Sequence, residues 1–149
     1  MTRTLLLAAA ALAAAAPALA PMSAMAEDGG RKFTIAMTGE EEEPGPGDDD
    51  GTGTAELRVN PGQGQVCYDV TYANIDPPTA AHIHRAPVDD PGPVVVPLSV
   101  AADGTIAGCA TVTRALALEL IRTPQEFYVN VHNATFPLGA IRGQLAPAP

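Results

Sequence analysis

All three histidines of the chain lie in two short segments that both have the residue pattern of β-strands. His82 and His84 belong to an Ala-His-Ile-His segment, and His132 ends a Tyr-Val-Asn-Val-His segment. Side chains alternate between the two faces of a strand, so residues two apart share a face. His82 and His84 therefore point the same way, and Tyr128 and Asn130 share the face of His132. If the two strands are close in space, three imidazoles converge.

Convergent imidazoles are typical of a metal site, because neutral imidazole is the commonest metal ligand and suits copper and zinc. Two histidines from one strand and a third from a facing strand supply three ligands and leave a fourth position open, as in catalytic zinc sites. The His-x-His arrangement resembles part of Cu/Zn superoxide dismutase. That resemblance ends there, because three histidines in total are too few for its binuclear site.

Other residues are candidates to complete or support such a site. Asp69 and Glu42 offer carboxylates that could fill the remaining position of a mononuclear centre. Asn130 and Tyr128 share the His132 face and are candidates to orient that ligand, since a metal-bound histidine usually donates its second N–H to an oxygen. Two alternatives stay open: a structural, hydrogen-bonded histidine cluster without metal, and a pH-sensing or catalytic role.

Nucleophilic catalysis has little support in this sequence. It contains no Gly-x-Ser-x-Gly motif, and Ser99 is the single serine after the predicted signal. If the two cysteines are paired, no free thiol remains as a nucleophile. We assign no catalytic residue and no cofactor besides one copper or zinc ion, and an enzymatic role is the less favoured expectation.

The first 26 residues have the pattern of a cleaved export signal. Arg3 provides the positive charge, an apolar run from 5 to 16 follows, and Ala24-Met25-Ala26 fits the small-x-small cleavage rule. A second possible cleavage site lies at Ala18-Leu19-Ala20. The apolar run is too short to span a bilayer. We therefore predict a protein exported to the periplasm or the medium, with one folded domain over 27–145 and a disordered tail over 146–149.

The charge of the chain is concentrated in one segment. The formal net charge is −9, and seven acidic residues fall between Glu40 and Asp50. No basic patch exists, which argues against nucleic acid as a partner; a protein or small-ligand partner is left unidentified. The acidic segment is rich in Pro and Gly and predicts a solvated loop. Calcium binding is an alternative, but the ligand spacing of an EF-hand is missing.

Two cysteines, Cys67 and Cys109, remain after removal of the signal. Export carries them into an oxidising compartment, where pairing is expected. A disulfide that closes about 40 residues stabilises a fold by roughly 3–4.5 kcal/mol in the chain-entropy model. The alternative is two buried free thiols.

Alternating apolar and polar residues, separated by Gly/Pro/Asn turns, predict seven or eight short strands. The predicted strands are 32–37, 53–59, 65–72, a segment around His82, 94–96 at a sheet edge, 105–112, a segment ending at His132, and 140–145. Residues 60–64 form a turn that predicts a hairpin between the second and third strands. One helix is predicted over 113–122, with Thr113 as its N-cap. The pattern favours an antiparallel β-sandwich.

Short motifs spread over almost the whole mature chain form a recognisable set. They are Thr38-Gly39 with Glu42-Glu43-Pro44, Thr52-Gly53-Thr54-Ala55, Cys67-Tyr68, Ala81-His82-Ile83-His84, Gly92-Pro93-Val94-Val95, Phe127-Tyr128-Val129-Asn130-Val131-His132, Phe136-Pro137 with Gly139, and Ile141-Arg142-Gly143-Gln144-Leu145. Together they resemble the CHRD domain, a module named after repeats in chordin and also found alone in exported bacterial proteins.

The resemblance implies an immunoglobulin-like β-sandwich and brings no catalytic residue set with it. Chordin is a secreted antagonist of growth factors, a role that does not transfer to a single bacterial-type domain. Two positions depart from the family pattern. Ala140 stands where a Glu is usual, which puts an ion pair with Arg142 in doubt, and Ala86 stands where a Gly is frequent, just after His84.

Overall fold

The computed structural model describes residues 29–146, which form eight β-strands, one α-helix and a short 3-10 helix at Pro124–Glu126. The predicted signal at 1–26 and tail residues 147–149 lie outside the described residues. The strands are β1 Arg31–Thr38, β2 Thr52–Asn60, β3 Gln65–Ala73, β4 Pro78–Arg85, β5 Val94–Leu98, β6 Ile106–Thr111, β7 Phe127–Asn133 and β8 Ile141–Gln144; helix α1 is Arg114–Arg122.

All eight strands belong to one antiparallel sheet with the order β5-β4-β7-β8-β1-β2-β3-β6. The sheet curls until its two end strands, β5 and β6, contact each other, so the molecule is nearly a barrel. Ser99, which follows β5, donates its backbone N–H to the hydroxyl of Tyr68 at 2.8 Å. Tyr68 lies on β3, the neighbour of β6, so this bond links the two ends of the sheet. The predicted all-β, antiparallel class with one short helix is confirmed.

The core lies inside the curled sheet and is built by the alternation that predicted the strands. In β2, for example, Ala55, Leu57 and Val59 point inward and are at most 2% exposed. Helix α1 covers part of the core with Ala117 and Leu120, which are fully buried. Burial of this apolar face holds a helix that is too short to be stable alone.

Several local predictions agree with the structure. β2 and β3 form the expected hairpin, with Asn60 opposite Gln65 across the turn. The Thr113 hydroxyl accepts a hydrogen bond from the Leu116 backbone N–H at 3.1 Å and so caps α1. β5 is a sheet edge, where Pro97 costs no ladder hydrogen bond. Cys67 and Cys109 lie directly opposite each other on β3 and β6, with their sulfur atoms 2.07 Å apart, at disulfide distance.

Most of the acidic loop of residues 40–50, between β1 and β2, is exposed, as predicted, but Glu42 and Gly47 are buried. Glu42 is only 4% exposed, and a side chain at Gly139 would collide with its carboxylate. The loop is tied to the approach of β8, because Asp48 donates its backbone N–H to the Ala140 carbonyl at 2.8 Å. Within residues 29–146, no helix has the length and apolar character needed to cross a membrane.

Candidate metal centre

The two histidine-bearing strands are direct neighbours in the sheet. β4 and β7 pair antiparallel, with His82 opposite Asn130, His84 opposite Tyr128 and Ala80 opposite His132. The intervening residues Ala81, Ile83, Val129 and Val131 point into the core and are fully buried. The alternation of a strand therefore places all three imidazoles on the outer face of the sheet, as the sequence predicts.

The three imidazoles form a compact cluster on this face. Nδ1 of His82 lies 3.1 Å from Nε2 of His132. The ring centroid of His82 is 5.5 Å from that of His84 and 5.0 Å from that of His132. One ligand nitrogen from each residue can be chosen so that all lie within 4.8 Å of one another. These are spacings that a single ion can bridge after small side-chain movements.

His84 is held in one orientation by the loop that follows β4. Its Nδ1 lies 2.7 Å from the Gly92 carbonyl oxygen, which can only accept, so Nδ1 carries the proton. Its Nε2 is buried and has no hydrogen-bond partner at good geometry, although the Asn130 side chain is near enough to raise the pKa of the ring against the effect of burial. A buried nitrogen lone pair without a donor is unfavourable in an apoprotein and available to a metal.

His132 is oriented in the same way from the other side of the cluster. Its Nδ1 lies 3.2 Å from the Pro137 carbonyl oxygen and carries the proton, which leaves a lone pair on Nε2. That lone pair faces Nδ1 of His82 and also the Oδ1 atom of Asn130, which is 3.1 Å away. Because an unprotonated Nε2 can only accept, its donor is Nδ1–H of His82, or the amide NH2 of Asn130 when that amide is turned over.

The electrostatic setting keeps the imidazoles neutral at physiological pH. Burial, reinforced by the two neighbouring imidazoles, lowers the pKa of His82 to about 4. Burial also lowers the pKa values of His84 and His132 below the ordinary value. Neutral imidazole is the form that binds a metal, so these three groups are ready to coordinate without first losing protons.

The comparison with known families agrees with the motifs in the sequence. The family description for the CHRD domain matches residues 33–145, which is most of the chain. The chain belongs to the CHRD domain family. Among curated proteins and among solved structures, none matches it.

Two carboxylates predicted as further ligands of this CHRD domain lie apart from the cluster. Asp69 points outward from β3, where it lines a groove of about 430 Å³ with Lys32 and Arg58. Glu42 is enclosed beside Gly139. Among the described residues, the one group with metal-ligand geometry consists of the three histidines alone.

The two departures from the CHRD family pattern have simple structural consequences. Among the described non-glycine residues only Asn74 and Asp89 have positive φ angles, so Ala86 needs no glycine-like backbone. Without a carboxylate at position 140, the Arg142 guanidinium instead donates to the backbone carbonyl oxygens of Asp90 and Pro87, both at 3.1 Å.

Sequence reasoning missed the backbone groups that orient the histidines in this CHRD domain. The acceptors for Nδ1 of His84 and of His132 are the backbone carbonyls of Gly92 and Pro137. Of the two residues predicted to support His132, Asn130 contacts its Nε2 at 3.1 Å. Tyr128 stacks on the His84 ring instead, with centroids 4.7 Å apart. A backbone carbonyl has no side-chain signature, and the only signal was that both loops are rich in Pro and Gly.

Proposed function

We propose that this CHRD domain is an exported, non-enzymatic binding module that holds one copper or zinc ion through His82, His84 and His132. The observation that carries the proposal is the convergence of three imidazoles, two of which, His84 and His132, present an unprotonated Nε2 to the cluster. Two of the three histidines have Nδ1 tied to a backbone carbonyl, and the buried Nε2 of His84 has no partner. A metal-binding histidine usually donates the N–H of its second ring nitrogen to an oxygen in this way.

The residues present fit a mononuclear copper or zinc ion. The ligand atoms would be Nε2 of His84 and of His132, because their Nδ1 atoms are bonded to carbonyl oxygens, and Nδ1 of His82, because this atom faces Nε2 of His132. Zinc–nitrogen bonds of about 2.0–2.1 Å in a tetrahedral site place ligand nitrogens roughly 3.4 Å apart. The 3.1 Å spacing of His82 and His132 is close to that value. The wider spacings, of up to 4.8 Å, would have to shorten by movement of the imidazoles before one ion could contact all three.

Two other functions remain as alternatives to this proposal. An open coordination position would allow a small metalloenzyme or redox protein, where copper supplies one-electron chemistry and zinc supplies Lewis acidity. A structural or adhesive domain of the cell envelope would need no metal. The two cavities described for residues 29–146 lie on β1–β3 rather than beside the histidines, which favours a binding module over an enzyme. The unpartnered Nε2 of His84 favours it over a purely structural domain.

The finer features predicted for the fold and the location belong to the same proposal. β1 and β8 are joined by one residue pair, Thr38 with Arg142, so the curled sheet is divisible into two four-stranded halves over a common core. This supports the immunoglobulin-like sandwich that the family implies. A cysteine pair at disulfide distance supports export, together with the signal pattern at 1–26.

A titration of the metal-free protein tests the proposal. The chain from Glu27 is produced in an oxidising compartment without a histidine tag, stripped with a chelator, and titrated with Cu²⁺ or Zn²⁺ in a calorimeter at neutral pH. We expect about one equivalent to bind. His84→Gln and His132→Gln should abolish this binding, since each removes one of only three ligands.

Asp69→Asn is the matched control, because this carboxylate lies away from the cluster and its loss should leave the titration unchanged. Absence of uptake by the unmodified chain would refute the metal site. Uptake that survives both histidine substitutions but is lost in the Asp69 variant would assign the metal to a different set of residues.

A further inference from the structure

A loop of residues 86–93 covers the outer face of the sheet beside His84 and is held there by side chains of β7 and β8. Arg142 of β8 is 1% exposed and donates to the carbonyl oxygens of Pro87 and Asp90. Gln144 donates from Nε2 to the Ala86 carbonyl at 2.9 Å. Arg142 and Gln144 thus hold the first part of the loop, up to Asp90, and the Arg85 backbone N–H donates to the Pro93 carbonyl at its end. Gly92, the acceptor for His84, lies between these two attachments.

A second connection runs from Arg142 to His84 through an aromatic ring. The guanidinium carbon of Arg142 lies 3.5 Å from the centroid of the Tyr128 ring. Tyr128 stacks on His84 with an interplanar angle of 8°, and its hydroxyl accepts from the Gly92 backbone N–H at 3.3 Å. A buried guanidinium over a tyrosine face is a strong cation–π contact, because both partners are shielded from water.

We propose that Arg142 is the positioning residue of the histidine site. It holds both the 86–93 loop and the Tyr128 ring against His84, and so fixes His84 with its Nδ1 proton on Gly92 and its Nε2 lone pair free. Arg142 is not a ligand, since its guanidinium is buried between the loop carbonyls and the Tyr128 ring. The inference deepens the proposed function, but its first test does not depend on a metal.

Arg142 is suited to this role by its shape as well as its charge. The planar fork of a guanidinium reaches two carbonyl oxygens at once and can stack on an aromatic ring at the same time. The ammonium group of lysine is a point charge that cannot make all three contacts. His132 has no share in this arrangement, because its Nδ1 is bonded to Pro137 in a different loop. The two histidines therefore respond differently if Arg142 is changed.

The test measures imidazole tautomers in the metal-free chain by ¹⁵N NMR, at about pH 8, where an ordinary imidazole is neutral. In the unmodified chain we expect both His84 and His132 to carry the proton on Nδ1. In Arg142→Lys and Arg142→Met, His84 should become a mixture of tautomers while His132 keeps its proton on Nδ1. A substitution that only lowered global stability would leave both tautomers of the folded chain unchanged.

Arg31→Met is the matched control, because Arg31 also lies over an aromatic ring, that of Phe33 at 5.4 Å, but at the opposite end of β1 from Thr38, which pairs with Arg142. It should alter neither tautomer. A single Nδ1-protonated tautomer of His84 in a folded Arg142 variant overturns the inference. If both Arg142 variants fail to fold, the residue is a structural one and the inference is likewise rejected.

A second measurement compares metal affinity. Loss of a group that orients a metal ligand usually weakens metal binding about 10–100-fold. We therefore expect the dissociation constant for Zn²⁺ to rise by about that factor in Arg142→Lys and to stay unchanged in Arg31→Met. If the unmodified chain binds no metal but His84 loses its tautomer in the variants, the proposed function fails and the positioning role stands. If the chain binds metal and both Arg142 variants bind it as tightly as the unmodified chain, the proposed function stands and the positioning role fails.

Discussion

At the scale of single residues, Glu42 is a buried carboxylic acid with an incomplete set of hydrogen bonds. It belongs to the acidic loop, yet its carboxylate is enclosed and its Oε1 atom has no hydrogen-bond partner. Burial raises the pKa of Glu42 from 4.5 to about 7, against the opposing influence of the Arg142 charge. At alkaline pH the folded chain therefore carries a buried, poorly compensated negative charge.

This residue predicts a specific dependence of stability on pH. The folded chain keeps a proton on Glu42 that the unfolded chain has already lost, so the free energy of unfolding falls as pH rises from 4.5 to 7. A shift of this size corresponds to about 3 kcal/mol at most. Glu42→Gln should therefore be more stable than the unmodified chain above about pH 7.5, with a smaller difference near pH 5.

Urea unfolding at the two pH values measures that difference. Glu41→Gln is the control, because this substitution removes the same formal charge from an exposed neighbour in the same loop. A Glu42→Gln chain whose advantage is equal at both pH values, or no larger than that of the control, would show that the Glu42 carboxyl titrates normally.

The clustering of the three histidines could be predicted from sequence because strand alternation fixes which side chains share a face. His82 and His84 needed only the rule that residues two apart point the same way. Which nitrogen of each ring is free could not be deduced, since it depends on carbonyls of Gly92 and Pro137 brought in by distant loops. The role of Arg142 was hidden for the same reason.

At the scale of elements, the pairing of β4 with β7 makes the site, and the pairing of β3 with β6 brings the cysteines together. The segments themselves were predictable, because their apolar residues alternate and their turns contain Gly, Pro and Asn. Their order in the sheet was not, apart from the β2–β3 hairpin, since neighbours such as β4 and β7 are separated by some 40 residues with no local signal of contact.

The β3–β6 pair predicts a disulfide with a measurable effect on stability. Because the cysteines are 42 residues apart in sequence, a bond between them restricts the unfolded chain considerably. The double variant Cys67→Ser, Cys109→Ser should lose roughly 3–4.5 kcal/mol of unfolding free energy in the chain-entropy model. Denaturant unfolding of the two proteins measures this loss.

Thiol titration of the denatured, unreduced protein provides the control, and it should detect no free thiol. Two reactive thiols per chain, together with equal stability of the serine variant, would favour the alternative of free cysteines. A reduced sample of the unmodified chain should unfold at the same denaturant concentration as the double variant if the bond accounts for the whole difference.

At the scale of the whole molecule, one curled sheet encloses an apolar core and carries the polar side chains of the candidate site on its outer face. The inner faces of the strands supply the apolar core, so the histidines, Asn130 and Arg142 share the outer surface of β4, β7 and β8. The loops at 86–93 and 134–139 then cover this polar layer. The all-β class was predictable from strand count, whereas closure into a near-barrel depends on long-range pairing.

The most direct test of the metal site is an anomalous difference map from crystals of the chain loaded with copper or zinc, recorded on both sides of the absorption edge of the metal. We expect one peak per chain, bonded to Nδ1 of His82 and to Nε2 of His84 and His132, at about 2.0–2.1 Å for zinc. No peak at these nitrogens after loading, or a single peak at the acidic loop of residues 40–50, would contradict the proposed site.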